Sequence, residues 1–284
     1  MIVLVGTVPY KTGLYTGKAI VRDKVLEVDG VSFPIERGTA AMAASCAQVC
    51  NFYNLDMPLC ILGGDIADGK GTDIMFQEII SNLEKYNPDL LTLHYMFPKI
   101  KYAEPFLQKI SSLPKKPQLI ADAGGMYLIK TVSRSYLFDV FTPDQGELHF
   151  LADEFAPHPL YVRNGLLNGN ASIEALLDLA YKNKNTARTT VVKGAIDYIY
   201  VDNLKVMELA QPNIPAMEAI GGTGDTITGM LSAFRYKNDP DADYKALVLN
   251  RLIGELIQCN PATQILDFIK AIPRALEKYE KNLL

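Results

Sequence analysis

The chain has 284 residues, 49% hydrophobic and 21% charged, a composition that excludes a disordered or low-complexity protein. Lys plus Arg number 28 against 32 Asp plus Glu, a formal charge of −4. That balance lacks the basic excess of a phosphate-neutralising protein, so no nucleic-acid partner is expected. The stretch before Gly6 is too short for a signal-peptide core and far short of a bilayer span, so no membrane partner and a cytoplasmic location are expected. The cysteines Cys46, Cys50, Cys60 and Cys259 form no CxxC pair and histidines number only three, so reduced or buried thiols are expected rather than a zinc site.

In chain order, residues 1–5 read as a short buried strand. Residues 18–21, 25–28 and 31–35 are β-prone runs separated by Arg22-Asp23-Lys24 and Asp29-Gly30, a small meander placed to act as a flap. Residues 37–54 are Ala-rich and helical, and 59–63 form an apolar strand ending in Gly63-Gly64-Asp65. Helix and strand patterns then alternate: helix 73–85, strand 90–93, helix 103–110, strand 118–120, helix 126–131, strand 136–141, helix 146–154, strand 161–163, helix 172–181 and strand 189–192. Residues 198–201 and 206–209 read as a hairpin, and 223–234, 242–259 and 262–281 as helices. This alternation predicts one α/β domain over 1–284, a mostly parallel sheet between two helical layers, with 18–36 as a small β lid. Ligands in such sheets sit beyond the carboxyl ends of the strands.

The most informative segment is Gly221-Gly222-Thr223-Gly224-Asp225, directly before an apolar helical run. The glycines allow a tight turn, and the unpaired first-turn amides of the helix would face an anion. Gly222, Thr223 and Gly224 would then form an anion hole, with Asp225 in it to accept a proton from a substrate hydroxyl. An ordinary helix cap at Asp225 is an equal reading. A dinucleotide fingerprint fits badly so late in the chain.

This segment resembles the anion-hole and catalytic-aspartate signature of the ribokinase-like superfamily. Further motifs of that superfamily follow in order. Thr142-Pro143-Asp144-Gln145-Gly146-Glu147 resembles its TPN-x-x-E segment, with Asp144 in place of the common Asn. Two acids three apart after a strand can hold Mg²⁺ through water, although an acidic helix start reads the same way. Val191-Val192-Lys193-Gly194 resembles its strand-ending V-K-G motif, which implies nucleotide contact at Lys193, Gly194 and Thr223. Asp122 ends a strand where substrate would lie, and Gly64 and Asp65 resemble a substrate-side turn of the kinases with one residue too many before Gly69. His94 follows a strand and would face the pocket, and Arg37 opens the first long helix where a polar or anionic substrate would bind. A lone histidine is more often structural than catalytic, and an ordinary capped helix start reads at least as well for Arg37.

The resemblance implies a ribokinase-like α/β/α enzyme using Mg²⁺ and ATP (or ADP) on a small polar substrate, in a homo-oligomer. The favoured expectation is an ATP-dependent kinase for a sugar or alcohol-type hydroxyl, with Asp225 as base. The rival is the ATP- or ADP-dependent NAD(P)H-hydrate dehydratase branch, to which the Gly-Gly-Thr-Gly-Asp form and Asp122-Ala123-Gly124-Gly125-Met126 point. That branch's Gly-Pro-Gly loop is missing at Leu93-His94-Tyr95-Met96-Phe97-Pro98. A third reading is a non-catalytic nucleotide-binding protein, against which the retained Asp225 argues.

Overall fold

The computed structural model describes residues 1–162 and 171–281. The strands are β1 (Ile2–Val8), β2 (Gly13–Lys18), β3 (Ile20–Arg22), β4 (Val25–Val28), β5 (Val31–Pro34), β6 (Leu59–Gly64), β7 (Leu90–Leu93), β8 (Gln118–Ala121), β9 (Val140–Phe141), β10 (Thr189–Val192), β11 (Asp197–Val201) and β12 (Leu204–Leu209). The helices are α1 (Gly38–Phe52), α2 (Lys70–Tyr86), α3 (Ala103–Ser112), α4 (Gly124–Thr131), α5 (Gln145–Ala152), α6 (Ile173–Lys182), α7 (Thr223–Tyr236), α8 (Ala242–Leu256) and α9 (Ile265–Glu280).

Among the described residues one nine-stranded sheet runs β12-β11-β10-β9-β8-β7-β1-β6-β2, and β3-β4-β5 form a separate three-stranded sheet. The interior pairs from β6 to β10 are parallel, while β2 and the β11–β12 hairpin close the two edges antiparallel. The period of two along each strand divides the core. On β1, Ile2 and Leu4 join one cluster with α1, α7, α8 and α9, whereas Val3 and Val5 join the other with α2, α3 and α4. The expected three-layer α/β/α architecture is therefore observed.

Four elements differ from the sequence reading. Residues 13–18 form an edge strand on β6. The segment Gly-Leu-Tyr-Thr-Gly-Lys has no apolar alternation, and its β structure comes from pairing with a neighbour. The expected strand 18–21 is split at Ala19, whose amide donates to Pro58 O where the chain leaves the large sheet for the small one. The expected strand 136–141 shortens to β9 after a 3₁₀ turn at Ser135–Leu137. Of the expected strand 161–163, Tyr161 ends a 3₁₀ turn over Pro159–Tyr161 and Arg163 lies outside the described residues.

Helix α7 crosses α1 at Gly229, where an added Cβ would lie 2.1 Å from both Met42 O and Ser45 Oγ. The Ser45 hydroxyl bonds across this contact to Thr226 O at 3.2 Å. That crossing sets the N-terminus of α7 against the N-terminus of α1. Gly229→Ala is expected to cost about 1–3 kcal/mol by overpacking, read as a lower denaturant midpoint.

Candidate active site

The strand ends and the starts of α1, α5 and α7 surround a cavity of about 390 Å³. Adjacent parallel strands β9 and β10 continue into a bridge between Asp144 and Lys193, with Lys193 N–H donating to Pro143 O at 2.8 Å. Two motifs far apart in sequence thus become neighbours through strand order. Gly222 begins α7 at φ 104°, a left-handed conformation suited to glycine, and no side chain caps the helix. The first-turn amides therefore remain available to a ligand.

Asp225 lies in that first turn, facing the start of α1. Its Oδ2 accepts the Gly38 N–H at 2.6 Å, and its Oδ1 lies 3.1 Å from His94 Nε2. His94 Nε2 is also 3.7 Å from Asp122 Oδ2, while Nδ1 lies 3.2 Å from Thr39 Oγ1. Neither carboxylate is aligned for a linear hydrogen bond to Nε2, so these contacts are ion-pair approaches. Asp122 in turn receives Lys193 Nζ at 2.9 and 3.0 Å, Thr228 Oγ1 at 2.5 Å and the Ala123 N–H at 2.9 Å.

This arrangement sets the protonation states. Burial disfavours charge on His94, but Asp122 and Asp225 outweigh it and raise the imidazole to about 9. Burial also works against charge on Asp122 and Asp225. Lys193, His94 and Thr228 outweigh it for Asp122, and His94 and the Gly38 N–H for Asp225, so both lie below the usual carboxylate range. Lys193 is pushed upward despite burial, by Asp122 and Glu147. Glu147 goes the other way: burial, then Asp122 and Asp144, push it up to about 7 against the pull of Lys193.

Asp144 and Glu147 form a capping box at the start of α5. Asp144 Oδ1 accepts the Glu147 N–H at 2.7 Å, and Glu147 Oε2 accepts the Asp144 N–H at 2.9 Å. Tyr127 donates its hydroxyl to Glu147 Oε1 at 2.7 Å.

The structure brings Arg37, Asp122, Asp144, Glu147, Lys193, Gly194 and residues 222–225 to the cavity wall. His94 lies behind the wall against Asp225. Gly64 and Asp65 do not line it. The Asp65 carboxylate accepts the amides of Ala67, Asp68, Gly69 and Thr72, which organises its own loop. Residues 18–36 do not line it either, although Arg37 follows directly.

Sequence reading missed Tyr95, Arg251 and the wall around Ile214, Pro215 and Met217, and also Thr228, which donates to Asp122. Arg251 is buried in α8, pairs with Asp197 at 2.6 Å, and donates to Gly194 O at 3.1 Å, Ala195 O at 3.0 Å and Pro212 O at 3.1 Å. The available signal is the polar pair Asn250-Arg251 in an otherwise apolar stretch of helix.

The layered sheet has a ribokinase-like fold. The family model described as Carb_kinase, NAD(P)H-hydrate dehydratase, matches residues 98–274, and the chain belongs to that family. An uncharacterized protein of Methanocaldococcus jannaschii is 39% identical over 221 residues, covering 76% of this chain and 90% of its own. The bifunctional NAD(P)H-hydrate repair enzyme of Pyrobaculum aerophilum is 29% identical over 171 residues, covering 59% of this chain and 31% of its own. A ribokinase-like protein of Enterococcus faecalis superimposes with a TM-score of 0.61 at 18% identity, over 98% of this chain and 87% of its own. Among the described residues no helix is long and apolar enough to cross a membrane.

A half-buried carboxyl raised from 4.5 to about 7 costs folding stability as the pH climbs through that window, because the unfolded state ionises more readily there. Glu147→Gln removes that loss and keeps an acceptor for the Asp144 amide. Its melting temperature is expected to gain on the wild type between about pH 5 and about pH 8 in thermal denaturation.

Proposed function

We propose that the chain is a nucleotide-dependent NAD(P)H-hydrate dehydratase. Membership of the family carries this reading, and Asp225 seated among uncapped helix amides supplies the chemistry. Asp225 accepts the proton of the hydroxyl on the hydrated nicotinamide ring. The freed oxygen bonds to the terminal phosphorus of ATP or ADP as the bond to the departing nucleotide breaks. The C–O bond then breaks with loss of a proton from the neighbouring carbon, releasing phosphate and restoring the double bond.

The amides of Gly222, Thr223 and Gly224 oppose charge on the transferring group. Lys193 and Gly194 contact the nucleotide phosphates, and Arg37 and Tyr95 border the substrate half of the cavity. Mg²⁺ would be held through Asp144 and Glu147, whose unneutralised charge suits a cation, and would offset phosphate charge. In this reading residues 18–36 are a lid on the substrate side, because the chain passes from β5 directly into Arg37 and Gly38. Assembly into a homo-oligomer belongs to the same proposal.

A small-molecule kinase sharing the first step is the second reading, favoured by the N-terminal β segment over 13–34. Incubation with hydrated NADH, Mg²⁺ and either nucleotide is expected to restore the absorbance of the reduced ring. No recovery with either nucleotide, together with a phosphorylated product from a panel of sugars and vitamin alcohols, would favour the kinase instead. Asp225→Asn is expected to lower turnover by about 10²–10⁴ while leaving nucleotide affinity, measured by calorimetry, close to wild type.

A further inference from the structure

His94 lies behind Asp225 and takes no part in the steps above. Its backbone is pinned on both sides: its N–H donates to Val5 O at 2.9 Å, and its carbonyl accepts the Gly125 N–H at 2.9 Å. The ring is fully buried, with Tyr95 edge-on at a centroid distance of 4.7 Å. The titratable groups facing it are Asp225 from α7, Asp122 after β8 and the phenol of Tyr95. Lys193 reaches it through Asp122, and Arg37 through Tyr95. The elements α1, β1 and α4 present Thr39, Val5 and Gly125, none of which titrates.

Carboxylates can only accept, so Nε2 needs its proton toward Asp225 and Asp122. Lys193 pairs with Asp122 and not with Asp225, so among the described residues Asp225 has no other buried cation in contact. The three side chains His94, Asp122 and Asp225 offer ligand atoms within 4.8 Å of one another, close enough for a bound cation. A doubly protonated imidazole fills that position with a cation built into the chain.

We propose that His94 is a positioning residue acting as a fixed positive charge, which from behind the cavity wall holds Asp122 and Asp225 together and completes an alternating series, Lys193–Asp122–His94–Asp225. The series spans the site from the phosphate-facing lysine to the carboxylate that takes the substrate proton. With Gly38 N–H on one oxygen and His94 beside the other, Asp225 has one orientation. Its role toward the reaction rests on the proposed function, but the charge on His94 does not.

Nitrogen NMR of labelled histidine separates the two. The chain has only three histidines, so His94→Gln identifies the resonance. Should that variant not fold, replacing His149 and His158 by Gln leaves His94 alone. The expected result is a ring protonated on both nitrogens near neutral pH, losing one proton around 9. Asp225→Asn should lower that midpoint by about one pH unit or more, as loss of an adjacent opposite charge does. A singly protonated ring near neutral pH, or a midpoint unmoved in Asp225→Asn, would overturn the proposal. In turnover, His94→Gln should move the acidic limb of the kcat profile to higher pH, a shift that a purely structural role would not produce. If the titration behaves as expected and no nucleotide binds, the functional reading fails while the charge assignment stands.

Discussion

Two carboxylates, Asp122 and Asp225, approach one imidazole inside the protein, and the rest of the site is arranged around that contact. Buried like charges repel strongly where water cannot screen them. Lys193 and His94 alternate with them, so each acid has a cation beside it. Removing either cation would leave an unpaired buried charge, which costs more than the pair contributes when intact. The same four side chains come from the ends of β7, β8 and β10 and from the first turn of α7. Their charge pairing therefore fixes how those elements meet.

The architecture explains why residues from 37 to 251 share one cavity. Parallel strands deliver their carboxyl ends to one edge of the sheet. The bridge between Asp144 and Lys193 is a direct product of strand order, since β9 and β10 are neighbours. On the other side, close contact at Gly229 lets α7 lie against α1, and this brings Gly38 N–H onto Asp225.

Much of this was legible in the sequence, and the parts that were not share a cause. Gly222 and Gly224 beside Asp225 carry their chemistry locally, because a turn, free amides and a carboxylate lie within four positions. Asp144 and Glu147 are equally local, and their capping box is visible in the spacing. Strand β2 was not legible, because its pairing partner β6 is more than forty residues away. The charge on His94 depends on two acids distant in sequence, so the residue alone reads as an ordinary core histidine. Asp65 shows the opposite limit: its turn resembled a substrate contact, yet its carboxylate is taken up by its own loop. The N-terminal features pointed toward kinases, whereas the family match over 98–274 points toward hydrate repair, and that match covers the part of the chain bearing Asp225.

Arg251 has a consequence for how such a scaffold can be altered. Its guanidinium binds Asp197 and the carbonyls of Gly194, Ala195 and Pro212, so one rigid fork joins two separate loops to helix α8. The contour of that wall is dictated by a side chain outside either loop. Grafting the two loops onto a related framework would transfer their residues without their shape unless the arginine and its aspartate travelled with them.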